Sequence, residues 1–283
     1  MDPIIRNIAD TALWVAVYRA DESERKDAVF HDPYARRLAG ERGEQIVLAM
    51  EEGRKNSWSF VARTYLFDEF IMQQVHEGFD MIVNLASGLD ARPYRLNLPS
   101  SLLWIDVDLP ETVEYMQSMM ANEKVSCMHE RIAMDLSKRE ARLDLFASLG
   151  MRGKKILVVT EGLMVYLTDE EAGALAYDLS HIKSFRHWVM DLISPGILPL
   201  IKEEMGTMLD DAGTPLKFAP KEGEDFFLLF GWKLLESKSR LKTAAILKRL
   251  SGEMMRYAAL SEPKGPVRNF PWSGVCLFEN RER

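Results

Sequence analysis

Four segments in the middle of the chain end in side chains suited to holding a small polar ligand. "FDMIVNLA" runs into Ala86, Ser87, Gly88 and Asp90, "SLLWIDVD" closes on Asp106 and Asp108, "VSCMHERIAMD" reaches Asp135 and Leu136, and "KKILVVTEG" delivers Glu161. Gly88 lets the backbone approach a ligand closely, and small Ala86 and Ser87 leave room beside it. Asp108 lies twenty positions beyond Gly88, where an acid can accept hydrogen bonds from ribose hydroxyls. Singly, each is equally a turn glycine, a helix cap or a solvated strand end. Acid at four successive strand ends points to one crevice.

That crevice does not suit a dinucleotide. The G-x-G-x-x-G fingerprint is absent, and the single glycine is followed two residues later by Asp90. A pyrophosphate would meet a carboxylate instead of a bare helix N-terminus, which disfavours a nicotinamide oxidoreductase. A phosphate-free nucleoside carrying positive charge fits an acidic rim, and S-adenosyl-L-methionine is such a molecule. Its carboxylate needs a cation, and the strand ends are expected to supply only acids. Arg63 shares a helical face with Phe60, Phe67 and Phe70, and Arg19 shares one with Ile8, Ala12 and Val15. Burying either charge unpaired would cost about 3–5 kcal/mol. Each arginine therefore snorkels to solvent, pairs with a structural acid, or meets a ligand carboxylate from a lid over the crevice.

The elements that must position these groups change period near residue 77. Residues 1–76 carry helical spacing and form a helical cap. Across 77–193, short β-branched runs alternate with helical segments, the pattern of βαβ units around a parallel sheet. Pro110 suits a first helical turn, and "SKRE" (137–140) and "TDEE" (168–171) read as capping boxes. Residues 194–283 hold a helical stretch (197–211), strand-like "WKLLESK", an amphipathic helix near 240–260 and strand-like "GVCLFEN". The expected fold is α/β, with a mostly parallel seven-stranded sheet, a helical cap and C-terminal insertions with edge strands, all in one domain (1–283).

Composition narrows the partners. A net charge of −7 argues against nucleic acid, which demands clustered Lys and Arg. No apolar run is long enough for a bilayer, and "MDPIIRNIAD" lacks the pattern of a signal peptide. Two cysteines, Cys127 and Cys276, give no disulfide framework, so a reduced cytoplasmic setting is expected. The five histidines show no zinc-ligand spacing with them. Met116, Met119 and Met120 fall at helical spacing and read as core filler; Trp14 and Trp58 read as core, with stacking on an apolar acceptor as the other use.

Six stretches in order, "ALWVAVYRA", "FHDPYARRL", "VARTYLFD", "NLASGLDARPYRL", "IDVDLP" and "TEGLMVYLT", resemble the leucine carboxyl methyltransferase family, including its bacterial S-adenosylmethionine-dependent branch. The resemblance runs from about residue 10 to 190. It implies a Rossmann-like class I methyltransferase fold in which Arg63 holds the cofactor carboxylate and Gly88, with Ala86 and Ser87, lies against the cofactor. Asp108 would take the ribose hydroxyls, Asp135 and Leu136 would flank the adenine, and Glu161 would meet the amino-acid end. Tyr166 matches a tyrosine that faces the substrate carboxylate in protein-methylating members. One departure stands out, because the family's first loop usually has a glycine where Ala86 or Ser87 stands.

The acceptor sets the remaining chemistry. A carboxylate is already ionised at neutral pH and needs only donors such as Tyr166 and Arg19 to aim it. A phenol would want a general base, for which His187 and Asp191 are nearest in sequence. The expected activity is O-methylation of a carboxylate or hydroxyl on a small polyketide-like metabolite of secondary metabolism, by a monomer or homodimer. The alternatives are a protein C-terminal carboxyl methyltransferase and a non-catalytic S-adenosylmethionine-binding protein.

Overall fold

The computed structural model describes residues 5–50, 53–262 and 270–281, without the side chains of 204 and 205. Residues 1–4 and 51–52 of the expected cap therefore lie outside the described residues. The cap consists of α1 (Ile8–Ser23), α2 (Ala35–Ala49) and α3 (Ser57–His76). Strand β1 (Met81–Leu85) follows, then α4 (Arg92–Arg95), β2 (Leu103–Asp108), α5 (Pro110–Met119) and β3 (Met128–Ala133). Next come α6 (Arg139–Gly150), β4 (Ile156–Thr160), α7 (Asp169–Ser180) and β5 (Phe185–Ile193). The last third adds α8 (Leu198–Asp211), β6 (Trp232–Ser239), α9 (Arg240–Ile246), α10 (Gly252–Ala258) and β7 (Ser273–Asn280).

The seven strands form one sheet in the order β3-β2-β1-β4-β5-β7-β6. The first five are mutually parallel, and β7 and β6 add antiparallel at one side. This is the mostly parallel seven-stranded sheet expected. β1 and β4 are buried at every residue, as continuous apolar runs covered on both faces must be. Alternate residues feed two cores: Val83, Ile105, Val158 and Trp188 on one face, and Ile82, Trp104, Leu157 and Phe70 on the other. A third cluster joins Trp14, Val17 and Leu38 of the cap to Leu209 and Leu216 of the C-terminal third.

The chain leaves β1 toward β2 and β3, then returns to lay β4 on the other side. The crevice at this reversal opens above the carboxyl ends of β1 and β4, where open α/β sheets bind ligands. Two tethers hold the C-terminal third against it. Arg249 makes a paired contact with Glu22 of α1 at 2.8 and 2.9 Å, and the Val165 carbonyl accepts from the amides of Lys217 (2.8 Å) and Phe218 (3.1 Å).

Two local expectations are corrected. Thr168 and Glu171 form the capping box of α7, but Ser137 caps nothing. Its amide donates instead to Asp135 at 2.9 Å, and α6 starts only at Arg139. The helix expected near 240–260 is two short helices, broken where Lys248 adopts φ 59°.

Candidate active site

A cavity of about 840 Å³ lies over the carboxyl ends of β1 to β5, roofed by α1 and α8. The ten residues expected to bind cofactor or aim the acceptor, Arg19, Arg63, Ala86, Ser87, Gly88, Asp108, Asp135, Leu136, Glu161 and Tyr166, line it. The size falls in the range of small-molecule sites, about 300–1,000 Å³.

The loop after β1 forms one wall. Ala86 and Gly88 both have φ 53°, the left-handed region that costs any residue but glycine about 1–2 kcal/mol. This gives physical content to the departure at Ala86, where alanine carries a glycine conformation. A Cβ on Gly88 would stand 3.5 Å from the Ala12 methyl, so the loop also packs under α1. Asp108 fixes the loop from β2. Its carboxylate accepts from the Gly88 amide at 2.6 Å and from the Leu109 amide at 2.7 Å. Burial pushes its pKa up, with these amide donors opposing. Asp135 is half-exposed at the far side, turned by its own contact with the Ser137 amide.

The floor is a buried network of paired charges, not a row of acids. Arg92, on α4, donates to Asp68 (2.6 Å) and Asp90 (2.6 Å) and meets Glu161 at 2.8 Å. Arg95 grips Asp68 with two bonds of 2.7 Å. Arg63 Nε donates to Glu161 at 3.0 Å, and its Nη1 stands 3.6 Å from Asp191. Arg240, at the start of α9, pairs with the same Asp191 oxygen. Arg19 is held by Asp32 (2.9 Å) and the Leu89 carbonyl (2.6 Å). Burial would raise Glu161, but Arg92 and Arg63 hold its pKa down at about 2. The five arginines face five carboxylates: Asp32, Asp68, Asp90, Glu161 and Asp191.

Donor accounting separates these arginines. Arg92 spends Nε, Nη1 and Nη2 on carboxylates. Arg63 keeps both Nη groups without a hydrogen-bond partner among the described residues, yet neither is shut off from solvent. The same holds for Nη1 of Arg240 and Nη1 of Arg19. Tyr166 stands on the short turn Met164–Tyr166 after β4. Burial raises its pKa, with Thr11 and Arg63 opposing, so the phenol stays protonated at neutral pH.

Several expectations need correction. Asp106 is not on the rim: it is buried and receives Asn84 (3.1 Å), Trp104 (2.8 Å) and His129 (2.7 Å). His187 pairs with Leu157 near the amino end of β4, away from the cavity, and bonds Gln74. It is no candidate base. Asp191 does line the cavity, but it accepts from the Gly162 amide (2.6 Å) and from Arg240. The strand ends do not supply only acids, because Arg92 and Arg95 follow β1 directly. Arg92, Arg95, Asp68 and Arg240 were not singled out as site residues. The first two stand inside the quoted "DARPYR" and read there as a turn; Arg240 carries no signal in sequence. Met116 and Met120 are buried in the core with Met119 beside them, and Trp14 is a buried cavity-wall residue. Both cysteines are buried and free. Among the described residues no helix is long and apolar enough to cross a membrane, and no side-chain group could hold a metal ion.

A parallel sheet with an antiparallel β7, an acid at the end of β2 and a glycine turn at the reversal make this a Rossmann-like methyltransferase fold. Two solved structures share it. A DUF574 family protein from Streptomyces avermitilis superposes with a TM-score of 0.57 at 12% identity, covering 94% of this chain and 96% of that one. A Thermobifida fusca protein with a provisional methyltransferase designation gives 0.54 at 14% identity, covering 99% and 97%. Residues 12–179 match the model of the leucine carboxyl methyltransferase family. The chain belongs to that family. Its relatives include a Rhodococcus jostii protein, 31% identical over 64% of each chain. A Saccharopolyspora erythraea protein is 34% identical over 62% of this chain and 65% of its own. Both bear the provisional name S-adenosyl-L-methionine-dependent methyltransferase. The match spans just under two thirds of either relative's length.

Proposed function

We propose that this protein is an S-adenosyl-L-methionine-dependent O-methyltransferase, with residues 1–283 as one cytoplasmic methyltransferase domain, acting on a small molecule that carries a carboxylate. The observation that carries the reading is the Asp108–Gly88 contact, which joins the acid at the end of β2 to the glycine turn after β1 beside the cavity. Arg63 stands across from them with open donors. In this reading Asp108 takes the ribose hydroxyls and Asp135 and Leu136 flank the adenine. Ala86, Ser87 and Gly88 lie along the cofactor, Arg63 receives its carboxylate and Glu161 its amino group.

When bound, the cofactor supplies an electrophilic methyl group on a sulfonium. The chain's own work is positioning, since in-line displacement depends on alignment of nucleophile, methyl and sulfur. Tyr166 and the open Nη1 of Arg19 aim the acceptor, with the protonated phenol as donor. No general base is required for a carboxylate.

Calorimetry with S-adenosylhomocysteine and with NAD tests the cofactor, and binding of NAD alone refutes it. Transfer of labelled methyl to organic acids, followed by mild base, tests the bond. A base-labile product is an ester; a base-stable product refutes carboxylate methylation.

A further inference from the structure

Arg240 belongs to the segment after residue 179, beyond the part of the chain that matches the family model. It enters the cavity from the junction of β6 and α9, and it is 6% exposed. Its Nη2 and the Nη1 of Arg63 converge on one oxygen, Asp191 Oδ2. One carboxylate cannot saturate two guanidinium forks, each with several donors. Arg240 keeps Nη1 without a partner among the described residues, and that atom is not closed off. Apart from the Arg63 donors, Arg240 itself thus offers that open Nη1 and a buried Nε without a hydrogen-bond partner among the described residues, donors that suit an anion.

Strand order says which anion reaches Arg240. Asp108 ends β2 and Glu161 follows β4, with β1 between. Neighbouring strands lie about 4.8 Å apart, so these groups are about 10 Å apart across the sheet. A cofactor held by Asp108 at one end and by Arg63 and Glu161 at the other fills that span. Asp191, on β5, stands one strand further on, with Arg240 behind it. Beyond Tyr166 the wall is apolar. Ile193, Ile201, Leu209 and Leu216 line the cavity there, and all but Ile193 belong to the cluster that includes Tyr166 and Trp14.

We propose that Arg240 anchors the carboxylate of the methyl acceptor, and that the acceptor is a carboxylic acid with an apolar body lying against Leu209 and Leu216. This rests on the methyltransferase reading for the identity of the first ligand. The residue that selects the acceptor then comes from the C-terminal insertion, and Arg63 is left to the cofactor.

The test uses the full chain saturated with S-adenosylhomocysteine, titrated calorimetrically with sodium octanoate and, separately, with 1-octanol. Octanoate is expected to bind at least tenfold more tightly than octanol. Arg240→Gln is expected to erase that preference by lowering octanoate affinity tenfold or more, while S-adenosylhomocysteine affinity changes less than threefold. Arg240→Lys keeps the charge, so it is expected to retain part of the preference; it carries the test if the glutamine variant does not fold. Unchanged octanoate binding in a folded variant overturns the proposal, as does absence of octanoate binding to the native protein. A larger loss for S-adenosylhomocysteine than for octanoate overturns it too, and assigns Arg240 to the cofactor's carboxylate. If S-adenosylhomocysteine does not bind the native protein, the cofactor reading fails alone, and octanoate titrations without it still read Arg240.

Discussion

Arg92 meets Glu161 at 2.8 Å, joining the turn after β1 to the end of β4 across the floor of the cavity. With Arg63 on its other oxygen, Glu161 is held at a pKa of about 2, against a usual value near 4.5. A depressed carboxylate stabilises the fold fully above its unfolded pKa, and that contribution disappears as pH falls through its folded pKa. The window here is pH 4.5 down to 2, and the contribution is on the order of 3 kcal/mol. Urea unfolding of the native protein and Glu161→Gln should therefore show a stability gap at pH 6 that narrows steadily toward pH 2. A gap independent of pH contradicts the pairing.

Asp108 braces the Gly88 loop, and in the proposed function it also takes the ribose hydroxyls. Hydrogen bonds to charged groups contribute about 1.5–3 kcal/mol each. Asp108→Ala should weaken S-adenosylhomocysteine binding roughly 10- to 100-fold by calorimetry, converting that energy, with the far-ultraviolet dichroism spectrum retained. Native affinity in this variant removes Asp108 from the site.

Tyr166 should separate turnover from binding. Tyr166→Phe keeps the ring in its cluster and removes the hydroxyl. Its kcat is expected to fall about 10- to 100-fold, the cost of one aiming donor, with cofactor affinity within about threefold. Because burial raises the phenol's pKa, the native rate should show no Tyr166 ionisation near neutral pH. Native turnover in Tyr166→Phe refutes an aiming role.

Ala86 carries a left-handed conformation at φ 53°. Glycine relieves that strain at some cost in chain entropy. Ala86→Gly should stabilise the protein by about 0.5–1 kcal/mol, a rise of roughly 1–4 °C in Tm. A lower Tm would mean that the alanine methyl contributes packing which outweighs its strain.

How much of this was legible in the sequence follows from the range of each interaction. The strands were readable because β1 and β4 are buried on both faces and so appear as unbroken apolar runs. Gly88, Asp108 and Glu161 were readable because a parallel sheet delivers its strand ends to one edge, so position along a strand gives position in space. Arg92 was not, because its partners Asp68 and Glu161 come from distant segments, and a local reading of "DARPYR" shows only a turn. Arg240 lies 49 residues from Asp191; its strand was legible as an edge strand, but the side of the sheet it joins was not, so nothing brought its end to β5. Ser137 misled because a capping box and an Asx turn at Asp135 compete for the same amide.

The double clasp at the Val165 carbonyl constrains how relatives of this protein can diverge. The turn that presents Tyr166 is fastened to residues 217 and 218 through main-chain amides, which excludes proline at both; exposed Lys217 can otherwise vary, while Phe218 is fixed by its burial against Phe226 and Phe227. Apolar contacts on the neighbouring α8 are thus free to vary while the tyrosine keeps its place. Exchange of residues 198–216 between such proteins would swap the preferred substrate shape and leave the reacting geometry where it was.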